Sequence, residues 1–520
     1  MRSVPDPLSR RTLMRTSLIA PTAGILGACG EDASAQDQGL DAPVVVSVTA
    51  FGARGDGRTD DRAAIQAAVD QVHRRGGGAV VIPGVDVDGG RCFRVSLPIV
   101  LRSGVTLKGE GRRSLLFNDR RISRAAGDQL VVLPGNYHPA YAQRLRFYDC
   151  APAPAGTREI RPRRAEAAAL FAPGTTVILR DGRWTPSFDG FQDRLWTRVN
   201  EVVGLDAERG RIRLRHPVDG EADGVIQIAD ANPTDIRYSR RARELESEPL
   251  FIAKRAGMQD LALRSHGPVM ADSATFECRF ERLLILAERG VFGNLFCHTT
   301  FDRITCEVTT QVLEASQNSH DSSFTNINGR VTRWSGADFQ LVTFNEGATR
   351  LTLDGFRIEG GGWAGSAPAL RFGPGSSGCA IRNGSVSVPN GRGAILAMEV
   401  GRDPPGAGQR VTRDCRFEAI RCTGGTAGTN AIFCATAEPR LLRDCAFVNL
   451  RFDGNYLRAG RVDGIGTVVE RCIWSKRDAP LQVMAGASGC RIADNSIPGG
   501  LDLMRQDLRG LNRIERNRSG

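Results

Sequence analysis

From Met258 onward the chain returns, roughly every twenty to thirty residues, to one six-residue pattern: an apolar residue, two mostly polar ones, an apolar or small one, any residue, then an apolar one. It reads MQDLAL at 258, FERLLI at 280, FDRITC at 301, FTNING at 324, LDGFRI at 353, IRNGSV at 381, TRDCRF at 412, LRDCAF at 442, VERCIW at 469 and IADNSI at 492. The starts are 22, 21, 23, 29, 28, 31, 30, 27 and 23 residues apart. A period in this range marks a solenoid, in which each unit buries its apolar face only by stacking on the next. The units are rich in β-formers, glycine and asparagine and carry no stretch of helical periodicity, so the expected fold is all-β, a right-handed parallel β-helix. Growth along one axis lets 520 residues share a single core.

The repeat register assigns the cysteines. Cys415, Cys445 and Cys472 fall at the fourth position of their repeats, and Cys278, Cys379 and Cys490 lie two residues before theirs. Inward columns of this kind fill a core as small apolar side chains, so structural thiols are expected. Stacked strands lie roughly 4.8 Å apart, a spacing that also admits a disulfide. No cluster has zinc-ligand spacing, and no metal site is assigned.

The same register groups exposed residues. Three positions before the first five repeat starts stand Arg255, Glu277, His298, Asp321 and Arg350, which on a solenoid form one ladder. His298 between two carboxylates is the candidate base, with its pKa raised by their charge and its ring oriented by Asp321. Arg255 and Arg350 would hold acid groups of a substrate. Six positions after the start, Glu307, Arg330 and Glu359 form a second column, with Arg330 a further catalytic candidate. Either column also serves as a plain ion-pair ladder on a solenoid face. Glu314, His320, Arg333, Trp334 and Trp363 flank this region as candidate substrate contacts, the indoles either stacking on sugar faces or packing under loops.

Before the repeats lies FGARGDGRTDDRAAIQAAVDQVHRRGGGAVVIPG, residues 51–84. Ile65, Val69 and Val72 recur at helical spacing, Asp60 or Thr59 can cap the helix, and Gly76 can end it. A solenoid exposes the interior of its first coil, and this unrepeated helix is the expected lid. Residues 47–119 would hold the lid and first coils, 120–250 a small β-rich insertion, and 251–520 the main coils. Within the insertion, residues 199–203 and 211–214 read as a hairpin across Asp206–Gly210.

Phe51–Gly57, Thr59–Asp61, Ala64–Ala68, Gly78–Pro83 and VTLKGEG at 105–111 resemble the N-terminal signature of the pectate-lyase-like superfamily. That superfamily includes polysaccharide lyases, rhamnogalacturonase-like hydrolases, epimerases and phage tailspikes. After Pro83, Gly84–Val87 replaces the Pro-x-Gly-x-Tyr expected from the resemblance. The Asn-x-Asp, Asp-Asp and Gly-His-Gly set of the hydrolase branch is absent from the repeats, where only Ser265–Pro268 resembles a fragment of it. The resemblance therefore implies a lyase cleaving an acidic polysaccharide by β-elimination. A hydrolase using Glu277, Glu314 and Asp321 and a non-catalytic glycan-binding or adhesion protein are the alternatives. No cofactor is firmly implied, and bound calcium is left open.

Composition and the N-terminus bound partners and address. Ser9–Met14 matches a twin-arginine export pattern, and Leu26–Cys29 reads as a lipoprotein cleavage site with lipidation at Cys29. Residues 1–29 are then a signal peptide and 30–46 a flexible tether. The body would sit in the periplasm or on the outer membrane, meeting the bilayer only through its lipid. Loss of residues 1–29 removes four arginines and Asp6, lowering the net charge from +11 to +8. No stripe of basic residues interleaved with aromatics speaks for nucleic acid, so an acidic polysaccharide is the expected partner. Oligomeric state is left open.

Overall fold

The apolar first position of the repeat stacks on its equivalent in the next coil. In the computed structural model, Met258, Phe280, Phe301, Phe324, Leu353 and Ile381 are successive parallel partners, as the pattern requires. The structure describes residues 43–119, 130–135, 145–181, 197–218, 226–232, 251–270, 274–333, 339–400, 411–435, 439–505 and 507–519. Phenylalanines dominate this inward column, and Phe280, Phe301 and Phe324 lie with ring centroids 5.4 and 5.6 Å apart. The fold is a parallel β-helix.

Two repeats sit in a different register from that read in the sequence. Ile381 pairs with Phe417, then Phe447, Val469 and Ile492 follow, so these coils start at 417 and 447 rather than at 412 and 442. The TRDC and LRDC segments imitate the pattern because a buried cysteine alternates with polar residues there as an aliphatic residue would. Cys415 and Cys445 consequently join the column of Cys278, Cys379 and Cys490, two residues before the start, and Cys472 lies apart from them. All twelve described cysteines are buried and free. Burial pushes the Cys278 thiol up to about 12 and holds Cys415 well above its ordinary value, so both stay protonated, as packing groups should.

The stack begins at Val44–Ser47, which pairs with Gly78–Val81, which pairs with Val105–Asn118. Helix Arg62–Arg74 packs against these first strands and buries Ile65, Val69 and Val72 completely. Gln66 anchors it, accepting from the Val100 N–H at 2.8 Å and donating to the Val100 carbonyl at 3.1 Å. The helix is the lid expected from its spacing, but its N-cap is Asp61 and not Asp60 or Thr59. The side chains have other work: Asp61 accepts from the Arg54 and Gly55 N–H groups at 2.7 and 3.0 Å, and Asp60 accepts from the Ser96 N–H at 3.1 Å.

Each coil turns at two corners where one residue adopts a left-handed backbone. At the first stand Arg255, Glu277, His298, Asp321 and Arg350, with φ between 50° and 52°, continued by Gly378, Asp414 and Asp444. At the second stand Asp260, Arg282, Arg303, Asn326, Gly355 and Asn383. This conformation disfavours side chains other than those of Asn, Asp and Gly. Stacking over-determines it, because the N–H of each first-corner residue donates to a carbonyl one coil on: Glu277 to Cys297, His298 to His320, Asp321 to Thr349.

Val132–Pro134 still pairs in parallel with Ile99–Leu101 and belongs to the main core. The described residues between 145 and 232 lie off the stack, and Gly257–Ser265 resumes it on the rung beside Val105–Asn118. The excursion folds into a sheet of six strands, antiparallel at each pairing. Thr197–Asp206 and Arg211–Leu214 form the expected hairpin, with Asp206 opposite Arg211. Cys150, Phe171, Val177, Val202, Ile212 and Ile228 are part of its own core. A second apolar cluster docks it on the solenoid, bringing Ile178, Val199 and Ala229 onto Ala274, Phe276, Leu295 and Cys297. Native protein should leave Cys379, Cys415 and Cys445 unalkylated, and denaturation without reductant should expose all three. A need for reductant would show disulfides in this column and overturn the packing role.

Candidate active site

The first-corner ladder forms as its repeat offset requires. Arg255 Nε donates to Glu277 Oε2 at 2.9 Å. Arg350 Nε and Nη2 donate to the two oxygens of Asp321 at 2.5 and 2.6 Å. His298 lies between the carboxylates, with Nε2 3.9 Å from Asp321 Oδ2. A left-handed corner turns each of these side chains outward, and parallel stacking sets them one strand spacing apart.

The insertion supplies the opposite wall. His216 lies face to face with His298, ring centroids 3.6 Å apart and planes 10° apart. Its Nε2 donates to Glu277 Oε1 at 3.0 Å, and Arg215 also pairs with Glu277. Asn200 fixes His216 by its backbone, accepting from the N–H at 3.1 Å and donating to the carbonyl at 3.0 Å. Glu201, on the same strand, pairs with Lys254 at 2.6 Å and with Arg255. His216, Glu277, Cys278, Arg279, His298, Thr300 and Asp321 line a cleft of about 340 Å³.

His320 is 1% exposed and positions the cleft from beneath. The Val199 N–H, which can only donate, reaches His320 Nε2 at 3.2 Å. The ring proton is therefore on Nδ1, which donates to Asp321 Oδ2 at 3.0 Å. One insertion strand thus selects the tautomer that orients Asp321.

The charges reverse one expectation. His298 is not raised by its carboxylate neighbours: burial first, then the His320 and His216 rings, lower it to about 3, against the pull of Asp321 and Glu277. Those carboxylates are already neutralised. Burial would raise Glu277, but bonds from His216 and Arg215 bring it down to about 2. Burial likewise opposes ionisation of Asp321, and His320 with Arg350 overcomes it and holds the group far below the ordinary range. His298 is a neutral imidazole at physiological pH, walled by permanent ion pairs.

Arg255 and Arg350 are held by Glu201, Glu277 and Asp321 and so are not free clamps. The arginine that lines the cleft is Arg279, whose partner is Glu281 at 2.7 Å. It sits one residue before a repeat start, a signal available in the sequence. His216, Arg215 and Glu201 have no repeat offset and no such signal. Glu307, Arg330 and Glu359 do share a column, but Arg330 is exposed on the strand beyond the second corner, away from the cleft. Arg333 is exposed and lines no part of the cleft. Trp363 is 1% exposed and donates from Nε1 to the Phe339 carbonyl at 3.1 Å, so it packs under a loop and offers no sugar platform. Glu314 lies in a different polar cluster. Trp334 and Cys29 fall outside the described residues.

His298, His320 and Asp321 bring three ligand atoms within 4.8 Å of one another. The donors do not suit a metal. Both His320 nitrogens are engaged, and both Asp321 oxygens belong to Arg350. Calcium takes about six to eight oxygen ligands, whereas the cleft offers two carboxylates, each already bound to arginine.

Residues 45–151 match the family profile described as rhamnogalacturonase A/epimerase, pectate lyase-like. Mannuronan C5-epimerase AlgE1 of Azotobacter vinelandii is 41% identical over 76 residues, 13% of this chain and 5% of that protein. Alginate lyase 7 of the same organism is 43% identical over 67 residues, 12% of this chain and 8% of that protein. The chain therefore spans under a tenth of the length of either relative. Among solved structures, the A-module of Azotobacter vinelandii mannuronan C-5 epimerase AlgE4 aligns over 91% of this chain and 97% of its own at 14% identity, with a TM-score of 0.45.

A histidine of folded pKa near 3 binds fewer protons than the same residue unfolded, whose pKa is about 6.5. Its contribution to stability is thus present above about pH 6.5 and is lost as pH falls toward 3. An NMR titration should find the His298 ring neutral at pH 5. A midpoint at the ordinary histidine value would mean that the insertion does not shield it.

Proposed function

This chain belongs, through residues 45–151, to the pectate-lyase-like superfamily, and from that premise we propose that it is a polysaccharide-active enzyme, a lyase that cleaves a uronate-containing acidic polysaccharide by β-elimination. The observation that carries the reading is the neutral His298 ring at the wall of an open cleft, backed by Asp321 and Arg350 and faced by Arg279. Elimination begins with loss of the proton on the carbon bearing the uronate carboxylate, and a base must be unprotonated to take it. His298 meets that condition. A substrate carboxylate adds negative charge beside the ring and raises its basicity on binding.

The proton passes to His298, and the electron pair of the broken C–H bond becomes the new C4=C5 bond. The C4–O bond breaks, and the imidazolium returns the proton to the departing oxygen, so no further reagent is consumed. Arg279 counters the negative charge that builds on the carboxylate. Hydrolysis is less well served, because it needs a protonated carboxyl at the scissile bond. Glu277 and Asp321 are both held ionised by arginines and histidines.

Incubation with uronate polysaccharides, mannuronate-rich alginate among them, should generate the ultraviolet absorbance of an unsaturated product. Reducing ends without that absorbance would make the protein a hydrolase, inversion at C5 without scission an epimerase, and retention without reaction a binder. His298→Gln keeps most of the ring's volume and loses its basicity. Its rate should fall about 10² to 10⁴-fold, with a thermal midpoint within a few degrees of wild type, and near-normal turnover would overturn the assignment.

The export and lipoprotein motifs support an envelope address, with Cys29 as the lipidated residue. Cys29→Ala should shift the protein from the membrane fraction to the soluble periplasm. Identical fractionation of the two would exclude a lipid anchor.

A further inference from the structure

On the same coils as the cleft, a second polar face has no assigned role. Among the described residues, most buried side-chain nitrogen and oxygen atoms without a hydrogen-bond partner lie between residues 289 and 345. They are Arg289 Nη1, both amide atoms of Asn294, both of Gln311, Gln317 Oε1, Thr343 Oγ1 and Asn345 Oδ1. Parallel register brings them together. Arg289 pairs with Gln311, Phe292 with Glu314, Glu314 with Thr343, and Thr343 with Arg371. Leu313, Ala315, Val342 and Phe344 face the core, so Glu314 and its register partner Thr343 turn to the outer surface of the sheet.

Arg289 is 2% exposed and lies between the Phe292 and Phe339 rings, 5.0 and 4.0 Å from their centroids. Its nearest carboxylate is Glu288, at 3.8 Å from Nε. Glu314 does not neutralise it: burial and then Glu346 push that carboxyl up to about 8, so it is protonated at neutral pH. The Gln311 amide lies beside Glu314 and favours its carboxylate form, without outweighing burial. Arg289 Nη1 has no partner of its own, and with the unpartnered Asn294 amide and Thr343 hydroxyl on the same coils it is complementary to a group that is acidic at one end and hydroxylated elsewhere. The rim is partly open at Asn345, Glu346 and Arg371. Asn294 is only four residues from His298, a separation of at most ~14 Å in extended chain.

We propose that this face is a second saccharide site for a carboxylate-bearing sugar unit of the same polymer, with Arg289 receiving the carboxylate and Asn294, Gln311, Thr343 and Asn345 receiving hydroxyls. It rests on the uronate reading above and extends it from a reaction centre to a groove over the same coils. A chain bridging both faces would enter the cleft already held at a second unit.

The test is calorimetric titration of an oligomannuronate into His298→Gln protein, so that turnover does not intrude. Arg289→Met, which removes the cation and keeps the length, should weaken binding about tenfold or more. Thr343→Val, which keeps the shape, should weaken it about two- to tenfold. Unchanged affinity in folded Thr343→Val, with an equal or higher thermal midpoint, would mean that these atoms hold only water and would overturn the site. Equal binding of a neutral glucan oligosaccharide would overturn the carboxylate assignment, and so would absence of binding to the parent protein. If Arg289→Met fails to fold, Thr343→Val decides alone. The lyase reading fails separately, when wild-type protein binds the oligosaccharide and yields no unsaturated product.

Discussion

Everything at the cleft depends on the left-handed corner that recurs once per coil and is held by a hydrogen bond to the coil beyond. A single residue in this conformation is disfavoured unless it is Gly, Asn or Asp. Here the position also carries Arg255, Glu277, His298 and Arg350, at φ near 51°. Their N–H groups donate to carbonyls of the next coil, so each strained residue is stabilised by its neighbour. The consequence is a column of outward side chains whose separations in sequence exceed twenty residues and whose separations in space are set by strand spacing. Glycine and aspartate occupy the column farther along, at Gly378, Asp414 and Asp444, which do not line this cleft. Chemically demanding residues at a corner that prefers small ones are themselves a signal of function.

The solenoid alone would leave that column on an exposed face, where ion pairs are weak and a histidine titrates near its ordinary value. Docking of the insertion changes the electrostatics. Ile178, Val199 and Ala229 seat it on Phe276, Leu295 and Cys297, and the same contact lowers Glu201, Arg215 and His216 over the corner residues. Each buried carboxylate then meets at least one arginine, which is what makes its burial tolerable. His298 has Asp321 at 3.9 Å, but burial and the His320 and His216 rings outweigh it and keep the ring neutral. The contrast between ionised carboxylates and a neutral base arises from one packing event.

Glu314 shows the opposite outcome within the same three coils. Burial first and then the nearby Glu346 raise it, and together they outweigh the opposing pull of Arg289 and Arg371, so it stays protonated. Two carboxylates a few residues apart, Glu314 and Asp321, are thereby set at opposite ends of the carboxylate range by their surroundings. Identity and spacing in the chain are nearly the same for both. What differs is which side of the coil each one faces and what covers it.

Much of the architecture was legible in the chain. Apolar recurrence at Met258, Phe280, Phe301, Phe324, Leu353 and Ile381 required a stacked solenoid, and the constant offset before each start required that Glu277, His298 and Asp321 be neighbours. The helical spacing of Ile65, Val69 and Val72 marked the lid. Periodicity was less secure at 412 and 442, where buried cysteines counterfeit the pattern and only hydrogen-bonded register reveals the true starts. Sequence by itself thus determined the fold and the membership of the corner column, because stacking converts a fixed offset into adjacency. Tertiary structure alone decided what stands opposite that column and hence its protonation. The insertion docks through non-repeating apolar contacts, and no spacing in the chain encodes where His216 will lie.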